Sequence, residues 1–180
     1  MSLPIEAIQL AIALSVALGA AVIDHRTGMI PNKLTFFALV LGVLLQSAFG
    51  GLSGLIHSVL AAAACGLVPV LLFRFGGMGG GDVKLFAAIG ALVGLEAGLE
   101  IQSASFILGA LYGIVVWAKE GQLASGLAGV FSLAIPVVGK RTRRRPGVSA
   151  AAKATIRFGP VVFAGAAFAT IIRVIERGLA

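Results

Sequence analysis

Residues 4–23 read PIEAIQLAIALSVALGAAVI, a block whose sole charge is Glu6, and Asp24 follows it directly. A helix that crosses a bilayer needs about 20 mostly apolar residues, so this block by itself predicts a membrane span. It lacks the basic lead and small-residue cleavage site of a secretory signal, and is therefore expected to be retained. Working outward, similar blocks at 34–52, 55–73, 83–99, 101–117 and 158–175 bring the expected number of spans to six. The blocks are continuous runs of Leu, Ala, Gly and Val, without the apolar–polar alternation of a transmembrane barrel. The fold class is all-α, a polytopic helical membrane protein in one domain over residues 1–180. Only Ser53 and Gly54 separate the second and third blocks, which makes those two helices antiparallel neighbours.

Composition agrees. Charged residues make up 12% of the chain, where a soluble domain carries about 25%, and the mean hydropathy is +1.06. The net charge of +7 does not point to nucleic acid, because the basic residues sit in loops beside the spans. Arg26, Lys33, Arg74, Lys84, Lys119 and the run KRTRRRP at 140–146 fall on one side, together with Lys153 and Arg157. Arg173 and Arg177 fall on the other, with Glu6, Glu96, Glu100 and Glu176. The positive-inside rule makes the first side cytoplasmic and places Asp24 and Asp82 there. Residues 119–157 form a basic cytoplasmic loop. Within it, 123–138 is apolar enough for a seventh span, but crossing would put the basic run outside, so a re-entrant or interfacial segment is expected. The basic run then lies at anionic lipid head groups. Cys65 is the only cysteine, which leaves no disulfide and no thiolate metal site to expect.

Asp24 and Asp82 are the only aspartates, each where an expected helix meets the cytoplasmic side. A carboxylate near membrane depth is a functional-site candidate by default. Each also has a plainer explanation. Asp24, in AVIDHRTGMIPNKLTFF (21–37), has Arg26 and His25 beside it for an interfacial ion pair. Asp82, in FGGMGGGDVKLFAAIG (75–90), is a favoured helix N-cap. Capping, however, needs no glycine run, and Gly76, Gly77, Gly79, Gly80 and Gly81 let backbone approach closely there. The run lacks the Lys and Ser/Thr spacing of a phosphate-binding loop. Pro31 fixes a turn, and Asn32 is expected to cap the second helix. Two carboxylates without metal suit peptide hydrolysis: close carboxyl groups share one proton, the ionised member activating water while the protonated member polarises the carbonyl. A serine triad is poorly supported, since the only histidines are His25 and His57.

At these residues the chain resembles the type IV prepilin peptidases, members of the GxGD class of membrane aspartyl proteases. Gly79-Gly80-Gly81-Asp82 supplies the GxGD element. Asp24, Arg26 and Ile30-Pro31-Asn32 supply a second, and IRFGPVVFAGAAFA (156–169) resembles the start of the family's last helix around Gly159 and Pro160. The resemblance implies cleavage of the leader from a prepilin, a protein with a basic leader and a hydrophobic helix, at the cytoplasmic face of a prokaryotic inner membrane. It implies Asp24 and Asp82 as catalytic residues, loop support from Gly79, Gly81, Lys84, Pro31 and Asn32, and no cofactor or metal. Because the chain opens on a span and holds one cysteine, it is most similar to the short tight-adherence or Flp-type peptidases, without methyl transfer. Two other functions use the same features: a transporter or proton conductor employing both aspartates, and a non-catalytic pilus-assembly scaffold.

Overall fold

The computed structural model describes residues 3–124 and 157–178. Within them the chain forms α1 (Leu3–Thr27), α2 (Asn32–Arg74), α3 (Gly80–Val93), α4 (Leu95–Lys119) and α5 (Phe158–Gly178). Among the described residues there is no strand. The re-entrant or interfacial segment expected at 123–138, and the basic run behind it, lie almost wholly outside the described residues. Among the described residues four helices, α1, α2, α4 and α5, are long and apolar enough to cross a membrane. The chain is a multi-pass helical membrane protein.

Two boundaries differ from expectation. The turn expected at Ser53–Gly54 lies at Gly51 (φ 57, ψ −142), a left-handed backbone suited to glycine, while Ser53 and Gly54 are helical. Residues 32–50 and 52–74 thereby fold into an antiparallel hairpin. Gly54 lies so close to the backbone of Gln46 that any Cβ there would overlap the Gln46 carbonyl. Gly42 of the first arm and Ser58 of the second both meet the Ala91 end of α3, whereas Asn32 and Phe73 both lie at its Gly80–Lys84 end. The expected span at 83–99 is likewise interrupted, at Gly94 (φ 84). The break expected at Glu100 thus lies six residues earlier, and Glu96, expected inside the span, sits in the first turn of α4, where an acidic residue favours the positive end of a helix.

The short α3 is the hub. Leu85, Phe86, Ile89 and Leu92 are fully buried on one face and Ala88, Gly90 and Ala91 are buried on the others, as expected of a helix apolar on nearly all sides. Phe86 meets Phe106 of α4 edge-on at 5.4 Å, and Phe158 of α5 at 6.3 Å. Lipid supplies no hydrophobic force between helices, so association depends on close packing and polar links. Both are present: Ser58 donates to the Ala91 carbonyl (3.0 Å), Gln102 donates to the Cys65 carbonyl (3.1 Å), and large apolar side chains such as Phe36, Phe37 and Leu52 face outward. A Cβ at Gly42 would stand 2.6 Å from Ala91 and Leu92 backbone atoms, and one at Gly90 would stand 2.6 Å from the Ala61 carbonyl oxygen. Gly42→Ala and Gly90→Ala are therefore expected to cost about 1–3 kcal/mol each through overpacking. Gly50→Ala, facing open space, should change stability by less than about 0.5 kcal/mol. Thermal midpoints in detergent check the contrast, and equal midpoints for all three variants would refute it.

The chain divides into two compact units, residues 1–109 with 157–180, and residues 110–156. Everything described below belongs to the first unit. Of the second, residues 110–119 complete α4, and Gly121 follows in a turn in which its N–H bonds the Ala118 carbonyl.

Candidate active site

Asp24 occupies the last full turn of α1, because the helix ends three residues later where the Gly28 N–H closes on the Asp24 carbonyl (2.8 Å). Asp82 occupies the first turn of α3. Both side chains are buried, at 7% and 9% exposure. Neither plainer explanation accounts fully for its residue. Among the described residues Asp24 has no ion pair with His25 or Arg26, which are exposed; its Oδ2 instead accepts the backbone N–H of Gly159 on α5 (2.9 Å). Gly79, not Asp82, is the N-cap of α3, and the Gly79 N–H donates to Asp82 Oδ2 at 3.2 Å. Asp82 thus fills the reciprocal half of a capping interaction while being buried among other elements.

The two carboxyl groups feel one another. Asp82, ahead of the apolar stretch of α3, has its pKa pushed up from 3.8 to about 6, first by burial and second by the Asp24 charge; the backbone N–H groups of Gly79 and Asp82 oppose the rise. A carboxyl group poised near 6 can hold a proton or release it close to neutral pH.

The predicted supporting residues tie the two aspartate loops together. Gly81 lies against Ile30, so that an added Cβ would be 3.0 Å from the Ile30 Cβ. This contact seats the glycine loop on the segment that follows Asp24. Lys84 Nζ donates to Asn32 Oδ1 (2.8 Å), joining α3 to the start of α2. Asn32 therefore does not cap α2 as expected. Pro31 is the N-cap, without a side-chain cap bond, and its carbonyl accepts the Leu34 N–H. Beside the Asn32–Lys84 bridge is an open cavity of about 430 Å³ walled by Thr35, Phe36, Leu39 and Ala87. Sequence reasoning placed Gly159 only at the start of the last helix. The third matching stretch marks Gly159 itself, but nothing in the sequence points to the bond from its N–H to Asp24.

The comparisons with known proteins point the same way. The sequence profile described as the type IV leader peptidase family matches residues 11–114. The chain is 35% identical over 117 residues to a prepilin leader peptidase/N-methyltransferase of Bacillus subtilis, a match covering 62% of this chain and 45% of that protein. It is 33% identical over 99 residues to prepilin peptidase EppA of Methanothermobacter thermautotrophicus, covering 53% of this chain and 26% of the relative. A similar match, 33% over 85 residues, links it to a prepilin leader peptidase/N-methyltransferase of Vibrio cholerae, covering 42% and 32%. The aligned region thus spans less than half the length of each of these relatives. No solved structure matches the chain. With more than half of its residues inside the family profile, this chain belongs to the type IV leader peptidase family.

Proposed function

We propose that the protein is a membrane aspartyl endopeptidase that removes the leader from a Flp-like prepilin, with Asp24 and Asp82 as its catalytic residues. The observation that carries this reading is the convergence of the chain's only two aspartates, from α1 and α3, into buried positions where the charge of one raises the pKa of the other. In each, Oδ2 accepts a glycine N–H, which orients the carboxyl group.

The chemistry follows from the raised pKa of Asp82 beside the Asp24 charge. Ionised Asp24 takes a proton from water as the water oxygen bonds to the scissile carbonyl carbon. Protonated Asp82 gives its proton to the carbonyl oxygen. When the tetrahedral intermediate collapses, the C–N bond breaks, Asp24 passes its proton to the leaving amine, and Asp82 recovers one from the hydroxyl. The apparent pKa values belong to the pair. Because the reaction needs Asp82 protonated, kcat/KM is expected to fall as pH rises above about 6, by up to tenfold per unit. A flat profile from pH 5 to 8 would count against the shared-proton mechanism.

Arg26, Lys33, Arg74 and Lys84 cluster in sequence around the helix ends that carry the aspartates, which supports a cytoplasmic active site in a prokaryotic inner membrane. A substrate with an apolar helix would reach it sideways from the lipid. The direct test reconstitutes the purified protein with a Flp-type prepilin and sequences the new N-terminus. Cleavage after the glycine that precedes the hydrophobic helix supports the assignment, and intact prepilin under conditions where a related peptidase cleaves it would overturn it.

A further inference from the structure

At the end of the bundle opposite the aspartates, Arg173 of α5 is buried at 8% exposure. Its Nη1 donates to Glu6 Oε1 of α1 (2.9 Å), and its Nε and Nη2 bind both oxygens of Glu100 on α4. Glu96 stands at 3.8 Å. An arginine inside a membrane span is costly and needs partners; here it has one from each of two neighbouring helices.

The spacing of these residues links them to the active site. Glu6 and Asp24 are about five turns apart on α1, which returns them to one face of the helix. Gly159 and Arg173 are about four turns apart on α5, again nearly on one face. Helices α1 and α5 are therefore pinned at both ends: Gly159 N–H to Asp24 Oδ2 at one, Arg173 to Glu6 at the other. Between the pins, the matching face of α1 presents Ala13, Ala17 and Ala20, and that of α5 presents Val162, Ala166 and Ala169, all buried. These small side chains let the two helices approach closely, and Gly159 packs on the Ala21 Cα and the Asp24 Cβ at the aspartate end only, so toward the other end the axial position depends on the Arg173 pair, as lipid adds no hydrophobic force to fix it. A slide of one residue, about 1.5 Å, would carry the Gly159 N–H out of hydrogen-bonding range of Asp24.

We propose that the Arg173–Glu6 pair is a register lock that holds α1 and α5 at the axial position where the Gly159 N–H meets Asp24. Arg173 and Glu6 are thus positioning residues for the reaction. The proposal rests on the reading of Asp24 as catalytic.

Glu100 plays a different part. The register of α4 on α5 is already set by interlocked packing: a Cβ at Gly165 would be 2.6 Å from the Ser105 Cα, and one at Gly109 would be 2.7 Å from the Phe158 ring. If Arg173 only ties helices together, loss should follow the bonds to its guanidinium that are removed, so that Glu100→Ala, which takes two of them, is worse than Glu6→Ala, which takes the one at Nη1. A register lock predicts the reverse for catalysis. Glu6→Ala should also accumulate, because Arg173 keeps Glu100 and no buried charge is left unpaired.

The experiment measures kcat and KM for prepilin cleavage in proteoliposomes, per folded molecule, for Glu6→Ala, Glu6→Gln, Glu100→Ala and Asp24→Asn. Glu6→Ala is expected to lower kcat about 10- to 100-fold with KM within about twofold. Glu6→Gln, which keeps an acceptor for Nη1, should recover kcat to within about threefold of the unmodified protein. Glu100→Ala should stay within about threefold. A Glu6→Ala kcat equal to that of the unmodified protein, or an equal loss in Glu100→Ala, overturns the lock. Asp24→Asn separates the two levels. If it still cleaves, the catalytic reading itself fails; if it is inactive while Glu6→Ala is fully active, only the lock falls.

Discussion

Replacing Asp82 by asparagine is expected to abolish leader cleavage and, above pH 6, to make the folded protein more stable. The kinetic loss follows from the proposed role: asparagine neither donates nor recovers a proton, and losing a positioned acid–base group costs about 10²- to 10⁴-fold. The gain in stability follows from the pKa. Asp82 titrates near 3.8 when unfolded and about 6 when folded, chiefly because burial disfavours its charge. A group whose pKa rises on folding stabilises the fold fully below its unfolded pKa and loses that contribution as pH rises through its folded pKa. Ionising Asp82 at pH 7.5 thus costs the folded state about 3 kcal/mol relative to pH below 3.8. Asparagine carries no charge to bury, and its side-chain oxygen can still accept the Gly79 N–H. The variant's thermal midpoint in detergent should therefore exceed that of the unmodified protein at pH 7.5, and the gap should close between pH 6 and pH 4. Asp24→Asn should be equally inactive. Retained cleavage in either variant would refute the proposed mechanism. An Asp82→Asn midpoint no higher at pH 7.5 would show that the buried charge is not a cost.

This pairing of lost activity with gained stability separates a catalytic aspartate from a capping one. If Asp82 served only α3, through the Gly79 N–H, its replacement would lower stability or leave it unchanged.

How far the sequence revealed this arrangement depends on the range of the interaction. Residues 4–23 disclose a span because hydropathy is additive along the chain, and α1 covers them from Leu3 to Thr27. The hairpin within α2 was visible as two span-length blocks, 34–52 and 55–73. The sequence put its turn at Ser53–Gly54, whereas Gly51 takes the left-handed conformation. Four glycines at 50, 51, 54 and 66 look alike locally, and only the packing of Gly54 on Gln46 decides which one bends. The break at Gly94 was hidden because Val93, Leu95 and Leu99 are as apolar as the rest of the expected span. At the site, both aspartates and the loops around them were legible as motifs. Their couplings were not. The Lys84–Asn32 bridge and the Gly159 N–H on Asp24 join residues far apart in sequence, and no pattern along one chain encodes which donor will meet which acceptor. Glu6, Glu100 and Arg173 were legible as charges at the opposite side, but their convergence on one buried guanidinium was visible only in three dimensions.

Gly159→Ala is expected to reduce kcat about 100-fold while the protein still accumulates in the membrane. The added methyl would stand 2.8 Å from the Asp24 Cβ, 2.9 Å from its Oδ2 and 3.2 Å from the Ala21 Cα. Two of those three atoms are backbone or the first atom of a side chain, so no rotamer change relieves the clash. Either α5 moves off α1 or the Asp24 carboxylate turns away, and both break the N–H bond at 2.9 Å. A displacement of about 1 Å at a reacting group is enough for a loss of this size. Intrinsic propensity works in the opposite direction, since alanine favours helix over glycine by about 1 kcal/mol, so lower activity cannot be traced to a weaker α5. The same substitution in the glycine loop sets a scale. At Gly79 the methyl would meet only the tip of the Asp82 side chain, Oδ2 at 2.9 Å, which can swing aside. At Gly81 it would meet the Ile30 Cβ at 3.0 Å, with backbone atoms no nearer than 3.5 Å. Activity should therefore fall most for Gly159→Ala, less for Gly81→Ala and least for Gly79→Ala, measured as kcat on one prepilin in proteoliposomes. If Gly79→Ala is the most damaging, the glycine loop governs the geometry of the pair. If Gly159→Ala is as active as the unmodified protein, the contact between α5 and Asp24 is dispensable, and the last helix serves only to close the bundle.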